Sequence, residues 1–118
     1  MIYYVYLIVS NKNNKSVSYV GYTNNIKKRL NLHNTSKGAK FTKGRYWKLA
    51  YIKRFKSKSL ALKGEYKLKK DYNLRDRIKK KFIKNEMNLI VQIKENLWNN
   101  KKSLQLIVLD LIMLPNSA

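Results

Sequence analysis

Between Met1 and Lys70 the chain holds one carboxylate, Glu65, and that scarcity narrows its chemistry. A two-metal nuclease needs several carboxylates to hold ions ~4 Å apart, and paired-carboxylate hydrolysis needs two at one site. Neither can be assembled from this stretch. With no cysteine, disulfides, zinc fingers, iron–sulfur ligation and thiol nucleophiles are excluded; the only histidine, His33, cannot build a multi-histidine metal cage. A single Mg2+ stays open, because water and substrate phosphate can complete an octahedron around one protein carboxylate. Glu65 would then be the ligand. Taken alone, Glu65 suits just as simply a helix-face pair with Lys69 at i, i+4.

The surroundings of that choice come from a tyrosine-rich hairpin. Tyr4-Val5-Tyr6 and Tyr19-Val20-Gly21 fall on two consecutive strand-like runs, so Tyr6 and Tyr19 belong on adjacent antiparallel strands. A phenol on a sheet is ordinarily a core residue with a satisfied hydroxyl, and nine tyrosines make accidental pairs easy. The residues at fixed distances after Tyr19 carry more. Gly21 lets another group approach the backbone, and Arg29 and His33 stand four apart on one side of a helix.

Charge points to the class of partner. The 118 residues carry 27 Lys+Arg against 6 Asp+Glu, a net charge of +21 that is costly for a small compact chain unless a polyanion neutralises it. Lys94, Lys101 and Lys102 balance Glu86, Glu95 and Asp110, so the whole excess belongs to residues 1–84. Lys37, Lys40, Lys43 and Arg45 flank one loop, and Lys69 and Lys70 open a basic helical region. Any one cluster is what a solvated surface shows, but an excess this large points to phosphate contacts. No base-reading module is visible, so the expected selectivity is for shape rather than sequence. The N-terminus lacks a basic, small-residue signal pattern, and the longest apolar stretch, Leu104 to Leu114, is broken by Gln105 and Asp110, well short of the ~20 residues of a span. The expectation is a chain that is not secreted and has no membrane partner, intracellular, in the cytoplasm or nucleoid.

These residues need elements to hold them. Tyr3 to Val9 is β-branched and aromatic, Val17 to Thr23 is a second strand, and the Asn-rich run between them is turn chemistry, giving a hairpin. Asn24 or Asn25 caps a helix bearing Ile26 and Leu30. Trp47 to Phe55 is a third strand, with Trp47, Leu49 and Tyr51 alternating onto one face. Ser57 or Ser59 caps a helix with Leu60, Ala61, Gly64 and Leu68; Asn73 caps a last one with Leu74, Ile78 and Phe82. The order is ββα-β-αα: α+β, a three-stranded antiparallel sheet flanked by helices. Residues 85–118 read as a neutral, apolar C-terminal extension, one amphipathic helix and a further apolar piece at 104–114, suited to packing or to contact with a second copy or protein partner.

The ordered set Tyr4-Val5-Tyr6-Leu7, Tyr19-Val20-Gly21-Tyr22-Thr23, Arg29 with His33, and Glu65 resembles the GIY-YIG nuclease superfamily, in particular its small single-domain branch. The strings from Gly38 to Arg45 and from Ser57 to Glu65 support it, and the first also resembles the catalytic domain of junction-resolving structure-specific endonucleases. The resemblance covers about residues 2–84. It implies a three-stranded sheet with helices and a DNA endonuclease that hydrolyses phosphodiester bonds with one Mg2+ or Mn2+ on Glu65. It further implies Tyr19 as general base or water-orienting group, Tyr6 assisting by hydrogen bonding, Arg29 on the phosphoryl charge, and His33 relaying a proton or positioning Tyr19. DNA, duplex or branched, is the implied partner, and DNA repair or recombination the implied setting. Tyr4 stands where the family name has glycine, and the family's asparagine after the metal glutamate has only Asn73 as a candidate here.

Two other readings compete. One is a non-catalytic nucleic-acid-binding protein that retains the fold; the presence of all five of Tyr6, Tyr19, Arg29, His33 and Glu65 speaks against it. The other is a truncated homing-type endonuclease, for which the neutral tail is a poor targeting domain.

Overall fold

A computed structural model describes residues 1–112, with side chains through Gln105. The chain divides into two compact units, the first spanning Met1–Phe82 and the second beginning at Ile83. The elements are β1 (Tyr3–Lys12), β2 (Lys15–Thr23), α1 (Ile26–Asn34), β3 (Lys48–Phe55), α2 (Lys58–Lys70) and α3 (Tyr72–Ile112), with a 3-10 turn at Lys40–Thr42 before β3. The three strands are antiparallel in the order β2-β1-β3. This is the expected α+β architecture.

β1 is central, and the uninterrupted burial of Val5 through Ser10 follows from cover on both of its faces. On one face Tyr6, Ile8 and Trp47 form a cluster packed by Val17, Tyr19, Leu49 and the Ile26 and Leu30 of α1. On the other, Val5, Tyr51 and Phe55 line a groove with Leu60, Gly64 and Leu68 of α2. The β1–β2 connection is two residues, Asn13 and Asn14, with φ of 55° and 62°. Asparagine tolerates that left-handed pair, and it matches the twist of a tight hairpin.

Caps set where the helices begin. Asn25 Oδ1 accepts from Lys28 N (3.1 Å), and Ser57 Oγ accepts from Leu60 N (3.2 Å). The last helix departs from expectation. Asp71, not Asn73, accepts from the backbone, at Leu74 N (3.0 Å), so α3 starts two residues earlier than an Asn73 cap would allow. Beyond Phe82 the expected two-piece extension is one continuous helix to Ile112, because no glycine or proline interrupts 72–112. Positions 113 and 114 of the expected apolar piece lie outside the described residues. Among the described residues no helix is long and apolar enough to cross a membrane.

The third strand brings a second correction. Leu49 pairs with Ile8 while Tyr51 pairs with Leu7, because the register shifts between Leu7 and Ile8. Ala50 is the extra residue of a β-bulge, so Leu49 faces the Tyr6–Ile8 cluster and Tyr51 the opposite side.

Gly64 decides how closely α2 lies on the sheet. A Cβ there would overlap the Phe55 ring, whose Cε1 would be 3.0 Å away. Gly64→Ala should therefore destabilise the protein by about 1–2 kcal/mol despite alanine's better helix propensity, since overpacking outweighs that gain. Adding Phe55→Leu should recover part of the loss, as read by urea denaturation of the two single variants and the double. A fully additive double variant would mean the contact does not set the spacing.

Candidate active site

The hairpin and α1 bring four of the five sequence-selected residues together. Tyr6 sits opposite Gly21 in the β1–β2 register, and Tyr19 opposite Ile8, so the two phenols share a face diagonally. A Cβ on Gly21 would overlap the Tyr6 hydroxyl, with the ring's Cζ at 2.6 Å. The bare backbone of Gly21 is what lets the Tyr6 ring lie across β2 and reach α1. There its hydroxyl meets His33 Nε2 at 2.7 Å. Arg29, one turn before His33, donates from Nε to the same oxygen at 3.3 Å.

Tyr6 and His33 are 1% and 0% exposed, so their polar atoms must be satisfied from within. His33 Nδ1 lies 2.8 Å from Thr42 Oγ1, and Thr42 Oγ1 donates to the Ala39 carbonyl at 2.9 Å. A hydroxyl has one proton. With Thr42's given to Ala39, its oxygen accepts from Nδ1–H, which makes Nε2 the acceptor and Tyr6 the donor. The Tyr6 oxygen in turn accepts from Arg29. One tautomer satisfies the whole chain.

Electrostatics agree with that assignment. Burial pushes the Tyr6 phenol up to about 12, against the opposing hydrogen bond and charge of Arg29, with Tyr19 and Glu65 adding to the rise. His33 is pushed down to about 4, first by burial and then by the Arg29 cation. The Arg29 guanidinium is raised, chiefly by the hydrogen bond to Tyr6 with burial opposing; its hydrogen bond to Tyr19 contributes. At neutral pH the core of the site is a protonated phenol, a neutral imidazole and a cation.

Tyr19 is the more accessible tyrosine. Its ring meets His33 edge-on (5.1 Å, 61°) and runs nearly parallel to Phe41 (6.1 Å, 20°). Both imidazole nitrogens of His33 are taken, by Tyr6 and Thr42. His33 holds Tyr6 by hydrogen bond and touches Tyr19 only through ring contact.

Glu65 comes from α2, one residue after the Gly64 contact with Phe55. Its side chain is 15% exposed and Oε1 lies 3.2 Å from Lys69 Nζ, the i, i+4 pair that the sequence left open. Its charge also reaches Tyr6. A hard carboxylate such as Glu65 suits Mg2+ or Mn2+ and not a soft metal. Among the described residues no group of three or more His, Cys, Asp or Glu could hold an ion; a cation held at Glu65 would draw its other ligands from water and phosphate. Asn73 is exposed at the start of α3.

Of the basic residues, Lys37, Lys40 and Lys43 lie exposed on the α1–β3 connection. Arg45 is half-buried, with Nη1 enclosed and lacking a hydrogen-bond partner. Lys69 is engaged with Glu65, and Lys70 lies over the Tyr66 ring at 4.3 Å.

Three residues of the site escaped sequence reasoning. Thr42 completes the His33 chain; Gly38 has no room for a Cβ, because the His33 ring lies against it; Asn34 clamps the Trp47 backbone, donating from Nδ2 to its carbonyl (3.1 Å) and accepting from its N–H (2.6 Å). Trp47 Nε1 donates to the Thr42 carbonyl at 2.9 Å. The only signal available was the Gly38–Arg45 string, whose small and hydroxyl residues held no hint of a buried partner.

The chain is similar to known proteins. The family profile described as "GIY-YIG catalytic domain" matches residues 2–81. A UPF0213 protein of Oceanobacillus iheyensis is 50% identical over 52 residues, 43% of this chain and 60% of that protein. One from Staphylococcus haemolyticus is 43% identical over 68 residues, 57% of this chain and 79% of the relative. The solution NMR structure of a UPF0213 protein from Bacillus halodurans is 34% identical, covering 66% of this chain and 82% of that one with a TM-score of 0.38. The chain spans between 54% and 60% of the length of several curated relatives it matches.

Two outcomes test the buried chain. Thr42→Val should cost about 1–3 kcal/mol by stranding the Nδ1–H, and 15N spectra of His33 should show the tautomer redistributed, whereas Thr42→Ser should restore both. The depressed His33 pKa makes the unfolded chain bind more protons than the folded one between about pH 4 and 6.5. Stability should thus be fully present above 6.5 and fall as pH drops through that window. Urea unfolding at pH 7 and pH 5 reads this, and His33→Gln should flatten the difference.

Proposed function

This chain belongs to the GIY-YIG family, and from that premise we propose that it is a metal-dependent DNA endonuclease, hydrolysing phosphodiester bonds with one divalent cation on Glu65. The observation that carries the reading is the unequal treatment of the two tyrosines. Tyr6 is sealed, held protonated, and spent on His33; Tyr19, half-buried beside Arg29, is the phenol that can meet water. Tyr19 takes or orients the proton of the attacking water. Arg29, its Nε anchored on Tyr6, turns its remaining N–H groups toward Tyr19 and toward a phosphate oxygen. His33 and Thr42 keep that anchor in place. Glu65 would hold a divalent cation, which would supply Lewis-acid stabilisation of the phosphoryl charge.

Lys37, Lys40, Lys43 and Arg45 grip the backbone of duplex or branched DNA, so selectivity is structural rather than sequence-based, in DNA repair or recombination inside the cell. Contact with a protein partner or a second copy falls to residues 85–118, where Met87, Ile90, Leu97 and Trp98 lie exposed on α3.

Cleavage of labelled duplex, single-stranded and four-way-junction DNA in Mg2+ or Mn2+ tests the proposal. Glu65→Gln should lower the rate on the order of 10²–10³-fold and Tyr19→Phe on the order of 10²–10⁴-fold, with binding retained in both. Affinity should fall with salt at about 0.9 log units per contacted phosphate per log unit of salt on duplex DNA. Salt-sensitive binding with no metal-dependent cutting of any substrate would return the non-catalytic binding protein, and a Glu65→Gln variant as fast as wild type would sink the site.

A further inference from the structure

Next to the proposed site a large apolar ring is held in the open. Phe41 sits on the 3-10 turn Lys40–Thr42 and is 57% exposed, although it contacts two aromatic rings. Tyr19 runs nearly parallel to it at 6.1 Å and 20°, and Trp47 lies at 6.2 Å, tilted by 43°. The turn itself is anchored. Thr42, the next residue, is fully buried and bonded to His33, and its carbonyl accepts from the Trp47 indole. Phe41 is therefore the exposed end of a run of rings that continues through Tyr19 and His33 to Tyr6.

A ring fixed in this way loses little conformational freedom when something stacks on it. Its neighbours in sequence say what that would be. Lys40 and Lys43 flank it, both exposed, and residues 1–64 contain no acid to repel a polyanion. A planar apolar surface bordered by cations is how proteins hold unpaired nucleotides, with the base on the ring and the phosphates on the lysines. A base within duplex is stacked already and gains nothing from Phe41.

We propose that Phe41 is a nucleobase-stacking residue, and that the substrate presents an unpaired nucleotide beside the bond that is cut. This inference rests on the nuclease reading and narrows it. Tyr19 lies between Phe41 and His33, so a base on Phe41 would set its adjoining phosphate next to the proposed water-activating phenol and Arg29.

The test is binding of the full chain, in EDTA so that no cleavage intervenes, to a duplex with a single bulged 2-aminopurine and to the same duplex fully paired. Wild type should bind the bulged DNA at least about fivefold tighter and quench the 2-aminopurine, given the usual value of base–aromatic stacking. Phe41→Ala should lose both the preference and the quenching while paired-duplex affinity stays within about twofold, and Phe41→Trp should keep both. Phe41→Leu retains apolar packing against Tyr19 without a stacking face, so it should behave as the alanine variant; together with Phe41→Trp it decides the matter if Phe41→Ala does not fold. Equal affinity of wild type for the two DNAs, or a Phe41→Leu variant that quenches like wild type, overturns the inference and leaves the nuclease reading standing if Glu65-dependent cutting is seen in Mg2+. Failure to bind either DNA overturns both.

Discussion

The hydrogen bond between the Tyr6 hydroxyl and His33 Nε2 is the constraint around which the first unit is arranged. Two polar rings are enclosed in the core, and an unsatisfied donor or acceptor there would cost on the order of 1–3 kcal/mol. Every adjacent feature answers that requirement. Gly21 gives the phenol its path across β2, Arg29 supplies the second bond to its oxygen, and Thr42 takes the far nitrogen of the imidazole. Because Thr42 is tied in turn to Ala39 and Trp47, the loop between α1 and β3 is built outward from one buried contact.

That arrangement reconciles a strongly basic chain with a neutral core. The +21 excess is spread mainly over exposed lysines and arginines, where water and salt screen it. Inside, burial and the neighbouring guanidinium oppose a second positive charge, which leaves His33 uncharged and the Tyr6 phenol protonated. Arg29 is the cation admitted to the site, and its position is fixed by a phenol rather than by a carboxylate. A carboxylate would neutralise it, whereas a neutral acceptor leaves its charge available to an anion.

The helix on the second face of the sheet carries Glu65. α2 approaches closely because Gly64 gives Phe55 room, and the next residue along that helix is Glu65. Packing on one face therefore sets where Glu65 stands, as hydrogen bonding on the other sets Arg29. Lys69 keeps the carboxylate paired, so the lone acid among the first 70 residues is engaged as the chain stands.

Much of this was legible in the chain itself. The strands followed from β-branched and aromatic runs, the hairpin from adjacent asparagines, two helix starts from Asn24 or Asn25 and from Ser57 or Ser59, of which Asn25 and Ser57 cap, and five candidate residues from their order and the family resemblance. Those signals are local: a cap, a turn or an alternation is decided within a few residues. The features that stayed hidden depend on which groups meet across the fold. The bulge at Ala50, which turns Tyr51 away from Leu49, exists only through pairing with β1. Thr42 reads as one more polar loop residue until His33 is placed beside it, and the partner of an imidazole nitrogen is set by distance in space. Residue types and their spacing were enough to give most of the elements and the charge, and to nominate the candidate residues. Packing in three dimensions settled which tyrosine is buried, which way its proton points and what His33 holds, because a buried polar group takes its state from the partners left within reach.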